Sequence, residues 1–348
     1  MTSLLRPLLL VALAAGCRSP YGKIERGNAA EHLDQIETLV AAGDYEAALD
    51  HLEAVHEVSG LEPDVRAREQ VLVDRAAEGR FVELADADSD ELEEIFDSDL
   101  PERVRARAGV LTAERLLAEE RRIRAYRMVK KVDEAIPGHH ERVRAGDVLA
   151  RAGLSLIADE RRYNLLFRYR SRGIQVLEYM VLRYPLEPRC AEAFYALSQA
   201  YEHDGNLDDA ITRTEDLLLY HPESAFAAAA SARLPYLRLG RMGRDDFDRG
   251  ELLKARAELA SWLVRHPGHE LAPWVRELQH ECLARLARSD LYLADYYRKT
   301  RAPAGERLHA ERALALAREA GLAAEEAAAR AHLTRLDPPP AADEAGSR

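Results

Sequence analysis

One pattern constrains this 348-residue chain more than any other: a helix–turn–helix arrangement that recurs along most of its length. Residues 191–222 carry it most clearly. Phe194, Leu197 and Tyr201 fall at i, i+3 and i+7, on one face of a first helix. Gly205-Asn206 supplies a turn, Ala210 lets a second helix approach closely, and Pro222 closes the unit. A unit this short cannot bury an apolar face alone, so it must stack on copies of itself. Looser copies are present. Residues 106–137 place Leu116 where Tyr201 stands, Ala125 at the close-approach position and Pro137 at the end. Residues 29–60 carry Gly43-Asp44-Tyr45 at the turn and Ala48 after it.

Two further units are stretched. Residues 142–185 hold extra chain around 159–172, and residues 225–267 hold a comparable insertion around 241–249, ahead of Gly250 and Ala255. A last pair runs from about Arg285 to Ala320, with Pro303 placed to start its second helix. A capping helix over 323–336 and a Pro-rich tail over 337–348, expected to be disordered, close the chain. The period and the small and large positions match tetratricopeptide repeats, which recur at about 34 residues. Ala, Leu, Arg and Glu dominate the composition, which is helix-forming. The fold expected is all-α, a tetratricopeptide-like α-solenoid of antiparallel helix pairs. The organisation expected is 1–16 signal peptide, 17–28 tether, 29–137 and 138–336 repeats, then the tail. Residues 62–99 are the least regular. There Asp88 with Glu91, and Asp99 with Glu102, have capping-box spacing. Asp86, Asp88 and Asp90 hint at a calcium loop, but Glu91 stands where that loop needs Gly and Asp97 where it prefers Glu.

Charge is uneven. The chain carries a formal −12, yet residues 25–100 hold 23 acids against 5 bases, and residues 102–172 hold 18 bases against 10 acids. Two readings stay open: solvated helix faces, or a bipolar molecule whose basic middle steers an acidic partner. An acidic chain without a nucleic-acid motif is not expected to bind nucleic acid.

The N-terminus has one early charge, Arg6, then an apolar run from Leu8 to Leu13. That run is too short to span a bilayer and suits the core of a signal peptide. It leads into Leu13-Ala14-Ala15-Gly16-Cys17, which looks like a bacterial lipobox. Cleavage before Cys17 and acylation of its thiol are expected, and several acyl chains on one residue anchor a protein stably. Arg18, rather than Asp, leans toward the outer membrane, with the chain facing the periplasm.

Motifs for catalysis are missing. His140-Glu141, His269-Glu270 and His280-Glu281 are each followed by no His at the spacing that would put two ligands on one helical face. Pro137-Gly138-His139-His140 and Pro267-Gly268-His269 occupy the same place between units, which reads as turn chemistry rather than zinc ligation. No Gly-rich phosphate loop or nucleophile elbow occurs. No enzyme activity, cofactor, metal or small-molecule substrate is expected. Cys190 and Cys282 lie far apart in helical patterns and read as small buried hydrophobes rather than a disulfide. On the helix starting near Ala191, Tyr195, Gln199 and Glu202 point away from the packing stripe, toward the groove such arrays form. They are candidates for binding a peptide, or are simply exposed.

From about residue 178 the order of features resembles the outer-membrane assembly lipoprotein family BamD. Arg183-Tyr184-Pro185 is similar to that family's junction; Tyr220-His221-Pro222 and Leu263-Val264-Arg265-His266-Pro267 follow, with the insertion between them. Residues 286–297 resemble the family's long-helix signature, which also ends in a Tyr-Tyr pair, here Tyr296-Tyr297. The likeness covers about residues 140–320, and residues 24–137 have no counterpart in the compact members. It implies partners: a barrel-assembly protein and nascent outer-membrane proteins. It also implies docking through Tyr296, Tyr297 and the basic residues after them, Arg298, Lys299 and Arg301. Ala302-Pro303 stands where a Gly turn is expected, and helix packing alone also accounts for the two tyrosines. A scaffold for another envelope task, such as cell-wall coordination or secretin assembly, is the alternative.

Overall fold

The computed structural model describes residues 21–83, 88–98, 100–159, 169–242 and 248–337. Among them the chain is all-α, with fifteen helices and no strand. In order these are α1 (Ala29–Ala42), α2 (Tyr45–His56), α3 (Pro63–Glu83), α4 (Ser89–Phe96), α5 (Glu102–Ala118), α6 (Arg122–Ala135), α7 (Arg142–Ile157) and α8 (Tyr169–Arg183). Then follow α9 (Cys190–His203), α10 (Leu207–Tyr220), α11 (Ala227–Arg241), α12 (Arg249–Arg265), α13 (Ala272–Lys299), α14 (Pro303–Ala320) and α15 (Ala323–Leu336).

Five hairpin turns share one geometry. A single residue takes the left-handed conformation, and the amide after it bonds back to the carbonyl five residues earlier. The pairs are Asp44 to Leu39 (3.0 Å), Arg121 to Leu116 (2.8 Å), Asn206 to Tyr201 (2.8 Å), Ala302 to Tyr297 (2.9 Å) and Leu322 to Ala317 (2.8 Å). This is the Schellman closure, which satisfies carbonyls that a helix end leaves open. The left-handed residue is Gly43, Gly205 or Gly321 in three turns, and Glu120 or Arg301 in the other two. Asp44 and Asn206 then cap the next helix, accepting from the amides of Ala47 and Asp209.

The junctions between units share another geometry. The amides of Ile136, Tyr184, His221 and His266 close the last helical bond, at 2.8–2.9 Å, and a proline follows each. Proline has no amide to donate and disfavours helix in the residue before it, so the helix stops there. A turn then returns the chain, through His139 to Ile136, Glu187 to Tyr184, Ser224 to His221 and His269 to His266. The chemistry read from Pro137-Gly138-His139 and Pro267-Gly268-His269 is therefore turn chemistry.

The chain forms two compact units, residues 1–152 and 153–348. The division falls inside α7, whereas 137/138 is a junction between hairpins. In the first unit α1, α2 and α3 pack on one another, and α5 packs on both α4 and α6. Leu33, Ile36, Leu52 and Val55 fill the first hairpin, and Ala48 and Ala125 are fully buried at the close-approach positions. In the second unit each helix from α8 to α15 packs on the next. Ala210, Leu217, Leu259 and Trp262 are buried there, and Trp262 donates its indole N–H to the Ala228 carbonyl at 2.8 Å. Cys190 and Cys282 are buried free thiols. Their Sγ atoms lie 2.9 Å from the Tyr184 carbonyl and 3.1 Å from the Leu252 carbonyl, and burial pushes them up to about 12 and about 11.

Two expectations need correction. Residues 63–83, within the stretch read as least regular, form the 21-residue helix α3, whose Leu72, Val73, Ala76, Ala77 and Phe81 are buried. The last long helix begins at Ala272 rather than near Arg285, because Pro273 in its first turn needs no donor and nothing interrupts it before Lys299. Of the two capping boxes, Asp88 caps α4 through the amides of Asp90 and Glu91, while α5 is headed by Pro101 and Asp99 lies outside the described residues. Ion pairs join the two charge blocks within the first unit. Arg103 meets Asp74, Arg107 meets Glu78, and Lys131 meets Glu93 and Asp97.

Candidate docking site at the end of the long helix

The 28-residue helix α13 delivers five candidate residues to one place and sorts them. Tyr297 turns inward. Its ring stacks on His309 of α14, with centroids 5.5 Å apart and planes 8° apart. It also covers Gly305 so closely that a Cβ there would lie 2.6 Å from the Tyr297 ring. Tyr296 turns outward, is 54% exposed, and touches Tyr297 edge-on at 5.4 Å. Arg298 donates to Asp295 one turn back at 2.7 and 3.1 Å. Lys299 and Arg301 are exposed and make no ion pair among the described residues. Arg301 itself takes the left-handed conformation, at φ 58°, just ahead of Ala302-Pro303, where a Gly turn is expected. The outward set is thus one aromatic ring and two unpaired cations at a helix C-terminus, where the helix dipole favours cations.

Beneath this surface lies a polar network that sequence reasoning missed. Asp290, on the buried face of α13, is fully inaccessible. It accepts from Arg249 Nη2 at 2.7 Å, and His309 Nδ1 lies 2.8 Å from its other oxygen, so one carboxylate ties α12, α13 and α14 together. A parallel set ties α14 to α15. Glu306 is 2% exposed, His332 Nδ1 lies 2.7 Å from its Oε1, and Arg335 pairs with its Oε2. Burial works to raise the Glu306 carboxyl, but the bonds from Arg335 and His332 outweigh it and hold the group below its ordinary value. The signal was present in the sequence. Asp290 falls among Leu286, Ala287 and Ala294 on one helical face, and a buried charge there requires partners.

The groove candidates on α9 are placed differently. The Tyr195 ring lies 5.4 Å from Phe226, and Glu202 pairs with Arg233 of α11. Gln199 is exposed. Two of the three therefore lie on the side of α9 that faces the equivalent helix of the next unit, where their contacts join the repeats. His139, read as turn chemistry, is buried with its Nε2 3.1 Å from Asp133 Oδ1. His269 Nδ1 accepts from the Leu271 amide at 3.1 Å. Cys17, the expected signal peptide over 1–16 and the tail beyond 337 lie outside the described residues, as does Asp86 of the calcium-loop pattern. No helix among the described residues is long and apolar enough to cross a membrane.

No protein-family model and no curated protein matches the sequence. Among solved structures, the chain is similar to the C-terminal part of a TPR repeat-containing protein from Cytophaga hutchinsonii, at 15% identity and TM-score 0.31, over 82% of this chain and 95% of that one. It is also similar to a Rap protein complexed with competence and sporulation factor, at 13% identity and TM-score 0.26, over 89% of this chain and 80% of that one. The apo form of RapI gives 10% identity and TM-score 0.20, over 88% and 98%. Scores at this level carry no structural argument. The helical-repeat reading rests on the repeated turns and junctions of the chain itself.

Proposed function

We propose that this chain is a lipid-anchored, periplasmic helical-repeat scaffold that helps assemble outer-membrane β-barrel proteins. It acts by binding, not by catalysis. The end of α13 docks a barrel-assembly protein, and the side of the array that includes α9 takes segments of nascent clients. The observation that carries this reading is the outward set at one helix end: Tyr296 exposed, with Lys299 and Arg301 unpaired beside it. Exposed aromatic rings next to cations are the side-chain types that anchor protein interfaces. The lipobox-like run ending at Cys17 and the order of features after residue 178 support the compartment and the process of this reading.

The test is purification of the tagged chain from detergent-solubilised envelopes. The expected companion is a large outer-membrane barrel protein with soluble periplasmic repeats. Recovery of cell-wall enzymes or a secretin in its place would overturn the assembly role. The anchor is tested separately with Cys17→Ser. The variant should accumulate as uncleaved or soluble protein without acyl mass, and an unchanged membrane fraction would contradict the anchor.

A further inference from the structure

A groove of about 510 Å3 opens in the first unit between α2, the last turn of α3, and α4. Its floor is apolar, made by Leu49, Phe81, Ile95, Leu100 and Val104. Its rim is acidic. Glu46, Asp50 and Glu53 follow one another at i, i+4 and i+7 along α2, while Glu91 and Glu94 stand on α4. The only cation lining it is Arg80, which Glu46 already engages at 2.8 Å. Several other carboxylates of the acidic block have partners: Asp34 and Glu37 pair with Arg68, Glu69 with Arg66, and Glu93 and Asp97 with Lys131. Asp50 and Glu94 are exposed and carry no hydrogen bond or ion pair among the described residues. The crowding has an effect on Asp50, whose carboxyl is pushed up by burial and then by Glu46, against a weaker pull from Arg80.

We propose that this groove is a docking site for a basic amphipathic helix of a partner protein. Charge complementarity selects the partner, because Asp50, Glu91 and Glu94 line the groove while its one guanidinium, on Arg80, is already engaged by Glu46. The apolar floor selects the amphipathic form, because a purely cationic ligand would leave it unfilled. The placing of the remaining acids selects the helix. Glu91 and Glu94 lie about one turn apart on α4, with Asp50 across the floor on α2, and match cations that flank the apolar stripe of an opposing helix on both sides. An anionic membrane surface is excluded by the same rim, which repels its headgroups. The partner's apolar stripe lies on Leu49, Ile95 and Val104, with its cations reaching Asp50 on one side and Glu91 and Glu94 on the other.

The test uses the full chain and a synthetic helical peptide of leucine and lysine, about 18 residues long, in which a leucine stripe is flanked by lysines. Binding is followed by fluorescence anisotropy at fixed ionic strength. The peptide is expected to bind at least about tenfold more tightly than a scrambled peptide of the same composition, a difference of about 1.4 kcal/mol. A leucine–glutamate peptide should not bind. Asp50→Lys with Glu94→Lys should weaken binding at least about tenfold without changing the melting temperature, since neither residue makes a bond in the fold. Should that variant melt low, Asp50→Asn with Glu94→Gln decides by the same loss of affinity. Equal binding of the scrambled peptide would reduce the site to bulk charge attraction and overturn the proposal. So would binding of the acidic peptide, absence of binding, or an affinity within twofold of wild type in both variants.

Discussion

Arg301 and Glu120 hold left-handed backbone at φ 58° and 59°. A side chain there costs about 1–2 kcal/mol against the following carbonyl, and glycine escapes that cost while losing more freedom on folding. Arg301→Gly and Glu120→Gly should each stabilise the chain by about 0.5–1 kcal/mol in denaturant unfolding, and Gly205→Ala should destabilise it by a similar amount. The same residues explain what the sequence disclosed of its turns. Gly43 and Gly205 announce the closure because glycine is the residue that suits it, whereas Glu120 and Arg301 reach the same conformation under the pull of the helices on either side. A second residue-scale prediction concerns His51. It is buried, its Nε2 lies 2.9 Å from His32 Nδ1, and Tyr21 stacks on it at 3.9 Å. Burial, and then His32, lower it from 6.5 to about 4. The unfolded state therefore binds more protons between those two values, so stability is full above pH 6.5 and falls as pH drops toward 4. The loss is about 2–3 kcal/mol. Melting temperature against pH should show this slope, and His51→Gln should flatten it.

Elements approach closely through glycine at several helix crossings, and two of these differ in what opposes the glycine. Gly173 of α8 faces the Ile157 amide, and a Cβ there would lie 2.6 Å from that nitrogen and 2.8 Å from the Gly153 carbonyl oxygen. Backbone cannot yield as a side chain can, so Gly173→Ala should cost about 2 kcal/mol or more. Gly305→Ala meets the Tyr297 ring, which can turn, and should cost less while separating Tyr297 from His309. Denaturant unfolding of the two variants checks the order. Helix legibility followed the same physics. Helices with apolar residues at regular spacing and a terminal turn residue, such as α9, α10 and α15, lie within a residue or two of their expected bounds. The helix α3 escaped because charges crowd its buried positions: Glu69, 2% exposed, is held by Arg66 and His56 instead of facing water. The helix α13 starts well ahead of its expected beginning near Arg285, because Pro273 in its first turn needs no donor and suits a helix start.

For the whole molecule, the sequence disclosed an all-α repeat array but not where its polar side chains would meet. The packing of α13 against α14 divided the tyrosine pair, making Tyr297 structural and leaving Tyr296 outside. The buried carboxylates Asp290 and Glu306 found their partners on helices 19 to 41 residues away in sequence, beyond any local pattern. The central claim is that the outward set at the end of α13 docks a partner. Its most direct measurement is partner retention by Lys299→Glu with Arg301→Glu, purified from detergent at fixed ionic strength beside a melting curve. Arg301→Glu keeps a side chain at the left-handed position, so the backbone cost is unchanged. Loss of the barrel-assembly partner with melting unaltered is the predicted result. Retention of every wild-type partner by a normally melting variant, or a loss of binding that only follows a loss of melting temperature, would contradict it.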